Sequence, residues 1–385
     1  MLDPIPPPPE WLREWTRPWA ERANLHSLPE HIHEVLLFYL FYQFVHSCAS
    51  PWLSRKFLPQ YYTNLPRRTQ INWDTHVVSF IQSTSVVLVA LWVMVADKER
   101  KAMASDGWEE GHPRRMYGYT GACGLVQAMA VGYFVYDLIV STVYVRITGV
   151  GMVFHAISAL TVYALGFRPF LNFYSPTFIL YELSSPFLNI HWFLDKVNMT
   201  GSKAQWYNGM LLLGSFFSAR LVWGLWQSAV VYRDMWMAVR NNLSSSSSVL
   251  LPPTVFDEQE EISPATAQVT QFARQINETR LPLWLPAAYV ASNLVLNSLN
   301  VYWFGLMIEA VRKRFREKKP EVKKTEEKVA AVLEPDVVLD AAETLEKQQG
   351  YFEAGDGAEL LNNEPEGVSS AVQVDGGNEV KRRTA

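Results

Sequence analysis

The sequence predicts an all-α polytopic membrane protein, with about seven transmembrane helices around a central cavity and a disordered C-terminal tail. Three observations predict it. Apolar runs approaching or exceeding roughly 20 residues, the length that crosses a hydrocarbon core of about 30 Å, recur through 31–311, while both ends are polar. The 14 Trp and the 13% aromatic content suit belts at two membrane interfaces. Within 132–192, three apolar runs each carry an ionisable residue, and such groups inside a bilayer segment face a bundle interior and mark function. The mean hydropathy of −0.02 averages the greasy middle with the polar ends.

Residues 1–30 form a Pro-rich N-terminus followed by a stretch, 10–24, in which Trp11, Trp15 and Trp19 recur every fourth position among Arg and Glu. That pattern reads as a short interfacial helix or a plain surface helix. No apolar core of a cleavable signal peptide precedes residue 30, so the first span is expected to be its own insertion signal. A membrane domain over 31–315 follows. Its spans are expected at 33–53, 73–96, 117–145, 150–166, 174–194, 205–238 and 282–311. Charged loops fill 54–72 and 97–116, a polar insertion occupies 241–280, and the tail runs from 316 to 385.

Seven spans put the two ends on opposite sides. The basic cluster Arg312 to Lys319 and the basic loop after helix one share a side, which the positive-inside rule makes cytosolic. Lys98, Arg100, Lys101, Arg114 and Arg115 oppose this assignment. Sequons at Asn242 and Asn277 support it, because both fall in the insertion it makes lumenal. The C-terminus is therefore read as cytosolic.

The polar residues inside the spans are the candidate site. Asp137 lies roughly 12 Å from the cytosolic end of helix three, and His155 roughly 8 Å into helix four, at 1.5 Å per residue. Only 146–149 separate those helices, so they are antiparallel neighbours and the two groups share a depth. A carboxylate there can orient an imidazole for acid–base or nucleophilic work, or the pair can simply fix helix packing. Tyr133, Ser141 and Tyr144 continue the face of Asp137. Glu182 shares a face with Ser185 and Asn189, and Pro186 is expected to kink the helix and open a cavity. His76, Ser79 and Ser83 line one face of helix two, and Arg220 requires a partner at mid-depth, with Glu182 the first candidate. Asn293, Asn297 and Asn300 form a ladder that reads first as helix–helix glue.

Other classes are excluded. Cys48 and Cys123 stand at unrelated spacing, so neither a disulfide framework nor a metal site is signalled. There is no zinc signature, nucleotide loop, Ser-His-Asp order or basic nucleic-acid face, and the net charge is −4. No bound cofactor is expected, and no nucleic acid.

With these residues in place, the chain resembles the TLC-domain family, which includes the ceramide synthases. The matching pieces are W-D-T-H-V-V-S at 73–79, G-Y-F-V-Y-D-L at 132–138 and H-A-I-S at 155–158. Y-E-L-S-S-P-F-L-N-I-H-W at 181–192, F-F-S-A-R at 216–220 and L-N-V-Y-W-F at 299–304 complete the ordered set. The resemblance is to the TLC domain-containing subgroup rather than to a ceramide synthase proper. Those synthases carry two adjacent His on the fourth helix and acidic residues after them. Here the pair position reads Phe154-His155, and no acidic residue lies between Asp137 and Glu182. The resemblance implies an endoplasmic-reticulum or related endomembrane location and a lipid-sized cavity. The leading expectation is binding or sensing of a lipid or fatty acyl chain, with effects on membrane lipid homeostasis. The cavity would be lined by His76, Tyr133, Asp137, His155, Glu182, Ser185, Asn189 and Arg220. The alternative is an N-acyltransferase of the ceramide synthase type, with acyl-CoA as co-substrate, His155 as base or nucleophile and Asp137 as its orienter. A third is a membrane factor whose lumenal loop or cytosolic tail contacts protein partners.

Overall fold

The computed structural model describes residues 1–105, 107, 111–244, 272 and 281–317. The expected C-terminal tail beyond 317 and most of the 241–280 insertion, including the Asn277 sequon, lie outside these residues. What is described is mostly helical, with no strand among the described residues.

The N-terminal stretch forms α1 (Glu10–Ala23), with Leu12, Thr16 and Ala20 buried, Trp11, Trp15 and Trp19 exposed, and Pro18 accommodated inside it. Helix one is α2 (Leu28–Phe44) and α3 (Ser50–Phe57), joined without a break by a π-helical turn at Val45–Ala49. A short α4 (Pro59–Tyr62) leads into α5 (Arg67–Ala96), whose length follows from a run rich in Val, Leu and Ala without Gly or Pro. Helix three is α8 (Gly121–Val143), started by Thr120, whose side chain accepts a hydrogen bond from the Cys123 backbone N–H. The turn α9 (Val145–Thr148) returns the chain at Gly149 into α10 (Val150–Leu165), which packs along α8 as the short connection requires.

Two expectations are corrected. The charged stretch 97–116 is not an open loop, because it contains α6 (Lys98–Ser105) and α7 (His112–Tyr117) docked on the bundle. Arg100 donates to the Phe173 carbonyl at 3.1 Å and to Thr177 Oγ1 at 2.8 Å. Arg115 grips Asp234 through Nε at 2.7 Å and Nη2 at 3.1 Å, and the Tyr174 hydroxyl donates to the same carboxylate at 2.6 Å. Two of the five cations that opposed the topological assignment are thus buried and hydrogen-bonded inside the bundle rather than presented to head groups. The second correction concerns helix five. It is a 3₁₀ turn (Asn172–Tyr174), α11 (Ser175–Phe178), a 3₁₀ segment (Ile179–Ser184) and α12 (Ser185–Lys196). Pro186 sits in the first turn of α12, where its missing N–H costs no helical bond, so it starts a helix rather than kinking one.

Helix six comprises α13 (Lys203–Phe216), a π-helical segment (Phe217–Trp223) and α14 (Gly224–Ser244), and helix seven is α15 (Trp284–Glu317). Of these elements, Arg67–Ala96, Gly121–Val143 and Lys203–Arg240 are long and apolar enough to cross a membrane. The expected count of seven is not reached by that measure: α10 is a shorter apolar helix, and helices one, five and seven are not among the three. Helix α8 is the axis of the bundle: α2, α5 and α10 pack around it, and 83% of its most apolar stretch is buried. The outer faces carry large exposed apolar side chains, among them Leu40 and Phe44 on α2, Leu88 and Trp92 on α5, and Leu211 on α13. An apolar exterior of that extent is a lipid-facing surface.

Candidate functional site

Polar residues from helices two to six converge on one chamber of about 380 Å³. Helix α5 contributes His76 and Ser79 at i and i+3, and α8 contributes Tyr133 and Asp137 at i and i+4, spacings that place each pair on one helix face. His155 enters from α10, Glu182 from the 3₁₀ segment, Ser185 and Asn189 from α12, and Arg220 from the π segment of helix six. The eight residues singled out in the sequence all line this chamber.

Their partners are specific. The His76 ring stacks on Trp192 with centroids 4.3 Å apart, and its Nδ1 donates to Asn189 Oδ1 at 2.7 Å. The Asn189 amide donates in turn to Ser79 Oγ at 3.0 Å, so α5 and α12 are cross-linked along one wall. Glu182 accepts from Ser185 Oγ at 2.8 Å, and Asp137 from Ser141 Oγ at 3.3 Å. Arg220 does find Glu182, at 4.0 Å, but its closer partners are Ser184 Oγ at 3.0 Å, Ser185 Oγ at 3.1 Å and Asn300 Oδ1 at 3.1 Å. A planar guanidinium with five donors can serve all of these at once, which a lysine could not. No hydrogen bond joins Asp137 to His155. The imidazole of His155 instead lies between the rings of Phe134 and Trp303, at 6.2 and 6.0 Å, and its buried Nδ1 has no hydrogen-bond partner.

The Asn ladder of α15 works as helix glue and also reaches the site. Tyr181 donates to Asn297 Oδ1 at 3.0 Å, Tyr232 to Asn293 Oδ1 at 2.6 Å, and Asn300 holds Arg220. A second, narrower chamber of about 90 Å³ lies beyond, walled by Phe134, Ala159, Val162, Tyr163, Ile179 and Tyr289 among others. His155, Glu182 and Arg220 face both chambers, so a mostly apolar space and a more polar one meet at one acid–base seam. The opposite limit of the polar chamber is lined by Arg68, Thr148, Asp195 and Lys196, from the start of α5, the α9 turn and the end of α12.

Sequence reasoning passed over several of these wall residues. Asn72 precedes His76 by four positions and Ser79 by seven, so its place on the chamber face was readable from helical periodicity. Trp303, Met152 and Leu188 carried no such signal, because an apolar residue lining a cavity looks like any other apolar residue of a span.

Interrupted helices, a lipid-facing exterior and a two-part interior of polar and apolar character define a polytopic helical membrane protein with an amphipathic internal cavity. The chain belongs to the TLC-domain family, whose profile matches residues 72–309. It is 38% identical over 311 residues to an uncharacterised TLC domain-containing protein of Schizosaccharomyces pombe, covering 80% of this chain and 89% of that one. It is 27% identical to Topoisomerase I damage affected protein 4 of Saccharomyces cerevisiae, over 74% of this chain and 85% of the relative. Human TLC domain-containing protein 4 matches at 29% identity over 47% of this chain and 65% of its own length. These relatives are TLC domain-containing proteins and not ceramide synthases proper. No solved structure matches the chain closely.

Proposed function

We propose that the protein is an endomembrane lipid-binding protein that holds one amphiphilic lipid, its polar group in the larger chamber and an acyl chain in the narrower one, and so influences membrane lipid composition. The observation that carries this reading is the seam at His155, Glu182 and Arg220, where the larger chamber gives way to a narrower one walled mostly by aromatic and aliphatic side chains, with a few polar ones such as Asn293 and Asn300 among them. A lipid has that same discontinuity of character. Ligand pockets in general are apolar enclosures with a few convergent polar groups that fix orientation. With the orientation read from the basic loops, the polar chamber opens at the cytosolic end, beside Arg68 and Lys196. The family resemblance supports an endoplasmic-reticulum location.

The test is native mass spectrometry of the detergent-purified full chain, with a photoreactive fatty acyl probe as a second readout. Retained lipid and cross-links to the apolar walls are expected. Ala159, 2% exposed and lining the narrow chamber, is then changed to Leu to fill it. That variant is expected to lose both signals while keeping its elution profile. Equal labelling of Ala159→Leu and wild type overturns the proposal.

A second reading, acyl transfer from acyl-CoA to an amine, is favoured by one observation: His155 and Asp137 line the same polar chamber. It requires Asp137 to approach His155, which in this structure is oriented by rings and not by a carboxylate. Incubation of the purified protein with labelled acyl-CoA and a sphingoid base separates the readings, since lipid binding alone yields no amide.

A further inference from the structure

Away from the chamber, at the far end of α2, three potential ligand atoms meet. The side chains of Asp3, His31 and Glu34 place a carboxylate oxygen, an imidazole nitrogen and a second carboxylate oxygen within 4.8 Å of one another. His31 Nδ1 lies 2.8 Å from Glu34 Oε2 and 3.1 Å from Asp3 Oδ2. His31 is 1% exposed and Glu34 fully buried. We propose that these three residues bind a first-row divalent cation of the zinc type.

Four features carry the assignment. The first is charge. Two carboxylates crowd one imidazole in a buried place, and such a cluster is neutralised either by shared protons or by a cation, because unneutralised buried charge is costly. A divalent cation replacing the imidazole proton supplies that neutralisation.

The second is the other face of the ring. His31 Nε2 is in hydrogen-bond contact with the buried Tyr119 hydroxyl. With a metal on Nδ1, the Nε2–H donates to that hydroxyl, which is how a ligating histidine is ordinarily held from behind. The third is spare capacity: Glu34 Oε1 is buried with no hydrogen-bond partner, so it is available as a further donor atom.

The fourth is the berth itself. On α8, Gly121 and Gly124 stand one turn apart. A Cβ at Gly124 would fall 2.2 Å from His31 Nε2, and one at Gly121 would fall 2.5 Å from the Asp3 backbone N. The backbone of α8 is thus stripped of side chains where these two ligands approach. Donor atoms around a tetrahedral ion with bonds of about 2.0–2.1 Å stand about 3.3 Å apart, so the two spacings from His31 Nδ1, 2.8 and 3.1 Å, need to open by about half an ångström or less. One nitrogen with carboxylate oxygens suits Zn²⁺ or Mn²⁺. Ca²⁺ wants six to eight oxygens, and Mg²⁺ keeps most of its waters.

The motif H-I-H-E at 31–34 was visible in the sequence, but its third member is 28 residues upstream of His31 in a Pro-rich segment with no metal-ligand spacing, and no metal was expected there. The site does not depend on the lipid-binding reading. Its experiment is metal titration of the full-length protein, stripped with a chelator in detergent and then given Zn²⁺ alone. Bound metal is counted by mass spectrometry and the melting midpoint is followed in parallel. One Zn²⁺ per chain and a raised midpoint are expected. Asp3→Asn, at a partly exposed position, and His31→Gln are each expected to abolish stoichiometric binding. Tyr119→Phe, which spares the ligands but removes the group behind the ring, is expected to weaken binding by about tenfold or more. Wild-type protein that takes up no stoichiometric Zn²⁺, or Asp3→Asn protein that binds as wild type does, overturns the site and leaves an imidazolium clamped between two carboxylates.

Discussion

Arg220→Ala is the substitution with the largest expected effect on the chamber. Arg220 is 8% exposed, and its removal breaks three hydrogen bonds, to Ser184, Ser185 and Asn300. Its attraction to Glu182 at 4.0 Å amounts to about 4 kcal/mol at an effective dielectric constant of about 20. Desolvation of the two ions offsets most of that, so the pair itself contributes little net stability. Removal of one partner is different, because the carboxylate of Glu182 is then buried without its cation. The expected loss is about 3–5 kcal/mol. Arg220→Lys keeps the charge but cannot fork to acceptors on α12 and α15 together, and a loss of about 1–3 kcal/mol is expected from the hydrogen bonds given up. Equilibrium unfolding in mixed micelles, followed by Trp fluorescence, measures both. A cost under about 1 kcal/mol for Arg220→Ala, or full stability in Arg220→Lys, means that the forked contact is not what holds the seam.

Two further expectations concern the frame. Asp234→Ala removes the fully buried acceptor shared by Arg115 and Tyr174 and is expected to cost about 3–5 kcal/mol in the same unfolding assay, a value near zero meaning that α7 is not held by this pair. Gly224→Ala brings a Cβ to 2.2 Å from the Tyr181 ring, whose hydroxyl is fixed to Asn297. Overpacking there is expected to cost about 1–3 kcal/mol, and a melting midpoint at or above that of wild type shows that the ring moves aside freely.

The convergence of polar faces was legible in the sequence because helical periodicity is a local property. His76 with Ser79, Tyr133 with Asp137, and Ser185 with Asn189 each declare a shared face without knowledge of the fold. The short turn at 146–149 did the rest by making α8 and α10 neighbours. What stayed hidden depended on rotation about an axis or on contacts distant in the chain. Depth placed Asp137 and His155 level with each other, but level does not mean facing, and the ring of His155 turned out to be set by Phe134 and Trp303. Glu182 was readable as a partner of Arg220, but the closer contacts were hidden for a related reason. Nothing local ties Ser184 or Asn300 to Arg220, and the π segment at Phe217–Trp223 shifts the register that depth counting assumes. The helical character of 97–116 was masked by its charges, which read as solvated until Arg100 and Arg115 are seen to be satisfied internally.

The enclosure of α8 has a consequence for biosynthesis. Chains are threaded into the bilayer from the N-terminus, so Gln127 and Asp137 reach the hydrocarbon before α10 and α12 have been made. Until those later segments arrive, only α2 and α5 are present to shelter the two polar side chains, and each stays costly to leave among acyl tails. The central rod is therefore a latecomer to its own stability. It is greasy enough to enter the membrane, but the Gln127 amide oxygen meets the Asn172 amide only once later sequence has left the ribosome.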